Sequence, residues 1–425
     1  MQNLEGKILL ILGAGDKWDS TTEVDAVRYA HEMGLYVIVA DSQVDWNRVP
    51  AKFDADEAWD VSWSNVDELI RLCREKKVDG VFAGFSERRV LSAAKLSHAL
   101  GLPFYAEGAD IATIFDKRKF KEACLSVGID VPRSFEPNDS IKFPVVVKPI
   151  DNAGGRGISV CCNEEELKEG ISKALEFSNA LQPEIEEFID GSEVFVYYVI
   201  RDGVPAFSMA SEIGTIRDDD TGLAYFVANR FPSCFAERIY SECDEKFKQL
   251  IKKLNINNCY LGLQCFVTED RIIVHDPTFR VDGSNVHEIM QMITGVNAVK
   301  LTIAYSLIGR FGEEADKNSL CYRNDWPIFL QTAIALRPGV IGRFEGLDKA
   351  ARVEGVYEIE QLKHVGDEME FSSANLSKIA AQIKIQAPNE NELKKRLAEI
   401  YSRISVEDIN GKDMLIPLDI MSFVS

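Results

Sequence analysis

Three consecutive β-branched residues, Val145-Val146-Val147, run into Lys148-Pro149 and then into Gly154-Gly155-Arg156-Gly157. No other stretch limits the chain's options as much. The valines suit a buried strand. Pro149 cannot donate to a sheet ladder, so the strand should stop there. A second apolar run, Ile158 to Cys162, carries Ser159. Strand, lysine, glycine-rich turn and strand make a lid whose backbone N–H groups can close over phosphate oxygens. Lys148 adds a point charge suited to phosphate. A plain hairpin with a glycine-rich loop fits the same residues equally well. No G-x-x-x-x-G-K-[ST] occurs, and the glycines precede a strand where a dinucleotide fingerprint would precede a helix.

Composition narrows the class. The 425 residues allow two or three domains with sizeable cores. The net charge of −20 disfavours non-specific attraction to nucleic acid or an anionic membrane, so an anionic ligand needs a local basic cluster. Nine cysteines include no C-x-x-C pair, and the five histidines are scattered, which argues against a zinc site. Thiols so arranged fit a reducing cytosol. With no signal-peptide pattern and no apolar run of spanning length, a cytoplasmic location is expected.

The first hundred residues alternate strand and helix: strands over 7–12, 35–40 and 78–83, with helices over 24–33, 66–75 and 90–100. That alternation predicts a doubly wound parallel sheet. Gly13, Gly15 and Asp41 tempt a dinucleotide reading, but the third glycine is missing. Gly13 to Lys17, Asp41 and Ser86-Glu87 fall at the carboxyl ends of strands, where small ligands sit, although each is equally an ordinary turn residue.

Asp116 caps the next helix, whose stripe of Phe120, Ala123, Cys124 and Val127 faces inward. Lys117 is left in the first turn, against the helix dipole, which makes sense beside an anion. Asn163-x-x-Glu166 is a capping box opening a helix to about residue 177. Residues 183–200 read as two strands around Gly191, an edge that can offer adenine its backbone, with Glu193 placed for ribose hydroxyls. Solvated acidic turn residues are the plain alternative. In residues 262–280, two strand-like runs flank Glu269-Asp270 and read as a hairpin. Gln264 and Asp276 should meet on one face, with Thr278 and Arg280 following on the same side. Three oxygen side chains and an arginine suit Mg²⁺ carrying nucleotide phosphates.

Taken together, residues 113 to about 310 resemble the ATP-grasp superfamily, as in carbamoyl-phosphate synthetase large subunits, biotin carboxylases and carboxylate–amine ligases. The resemblance implies that Lys117 and Lys148 bind ATP phosphates and that Gly154, Gly155, Arg156, Gly157 and Ser159 form the lid. It implies adenine contacts at Glu186, Glu187 and Ile189, ribose on Glu193, and Mg²⁺ (or Mn²⁺) on Gln264, Asp276 and Thr278. The family's usual E-x-N-x-R stands here as Asp276-Pro277-Thr278-Phe279-Arg280, with glutamine where the first glutamate is usual. Residues 335–370 are similar to the C-terminal domain of bacterial amino-acid ligases, through Arg337-Pro338-Gly339, Gly346-Leu347 and Gly366-Asp367. A helix over 391–404 and a turn over 406–411 follow.

The expected architecture is therefore mixed α/β and α+β. It comprises a Rossmann-like N-terminal domain (1–112), an ATP-grasp domain (113–325) and a small α+β C-terminal domain (326–425). The expected activity is an ADP-forming ligase that activates a carboxylate as an acyl phosphate and joins it to an amine, with Lys117, Lys148 and Arg280 on the phosphoryl group. Its partners would be small carboxylates and amines, amino acids among them, with a homodimer as an alternative to a monomer. The rival readings are a stand-alone carbamoyl-phosphate synthetase-like enzyme and an ATP-binding partner protein without catalysis.

Overall fold

The computed structural model describes residues 4–14, 22–136, 139–150, 157–178, 181–217, 224–283, 286–311, 323, 326–369 and 378–416. The N-terminal strands β1 (Ile8–Leu12), β2 (Tyr36–Ala40), β3 (Glu57–Trp59) and β4 (Gly80–Phe82) form a parallel sheet in the order β3-β2-β1-β4. Its strands are apolar on both faces because both are covered. Leu10, Leu12 and Ile38 pack with Leu69, Val90 and Leu96 of the helices Val66–Lys76 and Glu87–Leu100. Leu9, Ile11 and Val39 pack with Ala26 of the helix Thr22–Glu32 and with Val299 and Ile303. Those last two lie on Ala298–Ile308, a helix apolar nearly all round, as a fully buried helix should be. The edge strand β3 was not legible in the sequence, since three residues carry no period.

A second, antiparallel sheet holds Val145-Val146-Val147 and Ser159. It comprises β5 (Ser134–Phe135), β6 (Val145–Pro149), β7 (Ser159–Cys161) and β8 (Pro183–Glu187), ordered β5-β8-β6-β7. Val145, Val147, Cys161 and Ile185 form its small core with Leu167 and Ala174 of the helix Glu164–Glu176. The capping box is in place: Asn163 Oδ1 accepts from the Glu165 and Glu166 N–H groups, while Glu166 Oε2 accepts from the Cys162 N–H at 2.8 Å.

The remaining strands are β9 (Ser192–Arg201), β10 (Val204–Arg217), β11 (Ala224–Phe231), β12 (Cys259–Val267), β13 (Ile272–Thr278), β14 (Ile328–Ala335), β15 (Gly339–Glu345), β16 (Val356–Gln361), β17 (Glu368–Met369), β18 (Ile379–Ala387) and β19 (Ser405–Asp408). Eight of them make one sheet, β13-β12-β9-β10-β11-β14-β18-β16, and three make a smaller one, β17-β15-β19. The large sheet thus continues from residues before 325 into residues after it. Val406, expected in a turn, lies in β19, because its side chain joins the core of Ile341, Leu397 and Ile400. The turn follows at 409–411. Segments 183–187 and 192–201, read as neighbours around Gly191, belong to different sheets, so Gly191 marks a hinge between them.

One face of the large sheet carries Tyr197, Met209, Phe231, Tyr260 and Phe329, which pack beneath the N-terminal sheet and the helix Val286–Thr294. At its far end an ion chain crosses the three regions. Asp25 pairs with Arg28, Arg28 with Glu288 at 3.2 Å, and Glu288 with Lys384 at 2.6 Å, which also holds Glu358 at 2.8 Å. Lys384 is 2% exposed, so these contacts are what keep its charge tolerable. Among the described residues, no helix is long and apolar enough to cross a membrane.

Candidate active site

Lys148 ends β6 on the face opposite Val147, and its Nζ meets Glu186 Oε2 of β8 at 2.7 Å and Glu184 Oε2 at 3.6 Å. Two members, Glu184 and Lys121, are absent from the residues expected from sequence. Lys121, on the helix Lys117–Ser126, donates to Glu184 Oε1 at 2.7 Å, to Glu186 Oε1, and to Ser134 Oγ at 3.1 Å. Burial works against the charges of Lys148 and Glu186, and their pairing wins. Glu186 is held below the usual carboxylate range by Lys148 and Lys121, and Lys148 is held above its ordinary value by Glu186 and Glu184. Lys121 flanks the inward stripe of its helix, so only its partners on the small sheet reveal it.

Opposite this cage stands the β12–β13 hairpin. Val267 pairs with Ile272 and Cys265 with Val274, a register that, continued, would put His275 across from Gln264. A β-bulge inserts one residue, and Gln264 faces Asp276 instead, with Gly262 facing Thr278. The bulge turns both His275 and Asp276 toward one face. His275 stacks on Phe266 at 4.5 Å, and Gln264 Nε2 reaches Thr278 Oγ1 at 3.4 Å. The sequence signal for the bulge is present: two consecutive polar residues, His275-Asp276, break the period of an otherwise apolar strand.

The electrostatics of this hairpin are strained. Burial pushes Asp276 up to about 6, although Lys117, Lys148 and Arg280 all pull it down. Burial and the same lysines, with Lys121, push His275 down to about 3, so its imidazole is neutral. Among the described residues its Nε2 finds no hydrogen-bond partner, and Glu193 lies 3.9 Å away. Glu193 is itself raised by burial. Arg280 donates from Nε to Glu87 Oε1 at 2.9 Å, which ties the end of β13 to the start of the helix Glu87–Leu100. Carboxylate, amide and hydroxyl oxygens on facing strands are a hard donor set of the kind Mg²⁺ takes, and a cation there would relieve Asp276. The residues fit the metal.

The other anticipated residues are placed as follows. Gly154, Gly155 and Arg156 lie outside the described residues. Gly157 has φ +81°, where a Cβ would also come within 2.8 Å of Pro149, so glycine is required. Ser159 pairs with Val147 in β7. Glu187 is engaged by Arg271 at 3.2 Å and by the Arg133 N–H at 3.0 Å, so its side chain is committed to the fold. Ile189 is half-buried in the hinge between the sheets. Asp41 accepts from the Ala14 and Gln43 N–H groups at 3.0 and 2.8 Å, the work of a turn residue.

Residues 116–307 match the family model of the carbamoyl-phosphate synthase L chain ATP-binding domain. A D-alanine–D-alanine ligase of Fusobacterium nucleatum is 30% identical over 146 residues, 34% of this chain and 49% of that protein. The chain thus spans about half the length of that curated relative. Among solved structures, an L-amino acid ligase from Bacillus licheniformis superposes with a TM-score of 0.78 at 18% identity, covering 95% of this chain and 99% of the other. The biotin carboxylase domain of a Hydrogenobacter thermophilus 2-oxoglutarate carboxylase, solved with MgADP and bicarbonate, gives 0.72 at 17% identity, covering 96% and 91%.

Proposed function

We propose that residues 116–307, which match the ATP-binding domain of the carbamoyl-phosphate synthase L chain, form an ATP-grasp domain, and that the protein is an ADP-forming ligase joining a small carboxylate to an amine. The observation that carries this is the convergence on one carboxylate. Asp276 feels Lys117, Lys148 and Arg280 from three separate elements, with Gln264 directly across from it. Such a site suits a polyphosphate and its metal better than any neutral ligand.

The substrate carboxylate attacks the terminal phosphorus of ATP, and the resulting acyl phosphate is then cleaved by the amine. Lys117 and Lys148 hold phosphate oxygens, and Arg280 faces the charge that develops on the transferring group. Mg²⁺, held by Gln264, Asp276 and Thr278, would supply charge neutralisation at the phosphates. The nucleoside lies beside His275 and Glu193, with Glu193 on the ribose and the hinge around Glu186 to Ile189 along the adenine. Since the Glu187 side chain is committed elsewhere, its contact is a main-chain one. No side-chain nucleophile is needed, in keeping with the buried, raised thiols of Cys259 and Cys265.

The test is ADP formation against a pool of amino acids with Mg²⁺ or Mn²⁺, run beside calorimetry of Lys148→Ala. Turnover that depends on the pool is expected from the native chain. Lys148→Ala should bind ATP about tenfold to a hundredfold more weakly while leaving adenosine unaffected. Equal losses for ATP and adenosine would remove Lys148 from the phosphates.

A further inference from the structure

A cavity of 380 Å³ lies in the C-terminal region, where β15 ends and turns into the short helix Leu347–Ala350. Phe344 and Leu347, both half-buried, give it an apolar lining. Glu345, Asp348 and Lys349 line it too, and Gln361 joins them from the end of β16. The turn is held in shape by the chain behind it. A Cβ on Gly346, at φ +97°, would collide with the Arg403 carbonyl, and Arg403 Nη1 donates to the Lys349 carbonyl at 2.5 Å.

The polar groups of this cavity do not satisfy one another. Glu345 lies 3.5 Å from Arg343 Nη1, and Gln361 Nε2 donates to the Lys363 carbonyl at 2.9 Å, which leaves the amide oxygen as an acceptor. Asp348 and Lys349 are exposed, and among the described residues neither side chain has a hydrogen-bond or ion-pair partner. Lone solvated charges are ordinary on a protein surface. Here a carboxylate and an ammonium share one cavity with two apolar side chains, and its volume falls within the range of small-molecule sites. A ligand that carries both signs a few bonds apart, beside an apolar group, meets all of these features at once.

The cavity is remote from the candidate active site. In the eight-stranded sheet β13 is one edge and β16 the other, about 34 Å apart across the sheet at about 4.8 Å per strand. A small molecule bound there does not reach Asp276. We propose that this cavity takes a free α-amino acid, with its ammonium group on Asp348, its carboxylate on Lys349 and its side chain against Phe344 and Leu347. Glu345 and the Gln361 amide oxygen accept the remaining ammonium hydrogens. A neutral sugar, a simple amine or a simple anion each leaves at least one of the two charges unpaired, and an anion also meets Glu345 and Asp348 together. Such a site senses free amino acid without taking part in turnover, and it does not rest on the ligase reading above.

The experiment titrates the full-length protein, with no nucleotide present, and follows binding by ligand-observed NMR. Its three probes are leucine, N-acetyl-leucine, which lacks the ammonium group, and leucinamide, which lacks the carboxylate. Leucine should bind with a dissociation constant on the order of 1 mM, and each derivative about tenfold more weakly. Asp348→Asn should abolish the preference for leucine over N-acetyl-leucine and keep the preference over leucinamide; Lys349→Gln should do the reverse. Both positions are exposed, so the variants should melt with the native chain. Preferences that survive both substitutions would place the amino acid elsewhere, the catalytic cleft included, and overturn the proposal. Equal binding of the three probes, or no binding of leucine, would overturn it as well. A native chain that forms no ADP would sink the ligase reading and leave this titration untouched.

Discussion

Two clusters of buried charge lie within electrostatic reach of each other, one on β6 and β8 and one on β12 and β13, and they meet burial in opposite ways. Around Lys148 and Lys121, two cations are matched by Glu184 and Glu186, and Lys148 and Glu186 are both shifted toward their charged forms. At the hairpin, Asp276 is pushed up to about 6 and His275 down to about 3, both away from charge. Self-compensation keeps Lys148 charged and in place before any phosphate reaches it. A cluster left wanting a partner marks the place where a ligand supplies one. Had the two been swapped, the metal assignment would lose its physical basis.

The hardest test of the first cluster is Glu186→Ala, which leaves Lys121 and Lys148 without their shared carboxylate. Breaking a buried pair by removing one partner should cost about 3–5 kcal/mol of stability, read by denaturant unfolding. A loss under about 1 kcal/mol would show that the cage is solvated and that the contrast does not hold.

Asp276→Asn should do the reverse, cutting ADP formation about a hundredfold with no loss of stability. The sign follows from linkage. With its folded value raised from 3.8 to about 6, Asp276 binds its proton more tightly in the native state, so stability falls as pH rises through that window and stays lower above it. The asparagine variant should therefore melt higher than the native chain at about pH 8 and equal to it at about pH 3. A variant that melts lower at the alkaline end would make Asp276 a paired structural charge.

The smallest expected signal sharpens the comparison most. Mg²⁺-nucleotide should displace the proton on Asp276, so binding near pH 6 should release up to about half a proton and binding near pH 8 almost none. Calorimetry in two buffers of different ionisation enthalpy measures this. Release that does not change between those pH values would place the titrating group elsewhere.

Much of the fold was legible where local chemistry decides it. Asp116 and Asn163 cap the helices they were expected to cap, and Gly101 ends the helix Glu87–Leu100 in the left-handed region at φ +68°. The N-terminal strands showed because a sheet buried on both faces must be apolar throughout. The pairing of Gln264 with Asp276 was legible only in part. Counting across the turn gives Gln264 opposite His275, and the bulge that moves Asp276 into place shows in sequence only as a broken alternation. Val406, read as a turn residue, joined a strand because the core of Ile341 and Leu397 needed its side chain.

Sequence alone determined the elements whose signals are local: caps, apolar periods, turn residues, and the order of motifs along residues 116 to 280. Tertiary structure decided which charges meet. Lys121 and Glu186 are 65 residues apart and Glu23 and Arg89 are 66 apart, so nothing local records either contact. The protonation of Asp276 and His275 was decided there too. It depends on how completely water is excluded and on which opposite charges remain within reach, and only a packed interior sets both.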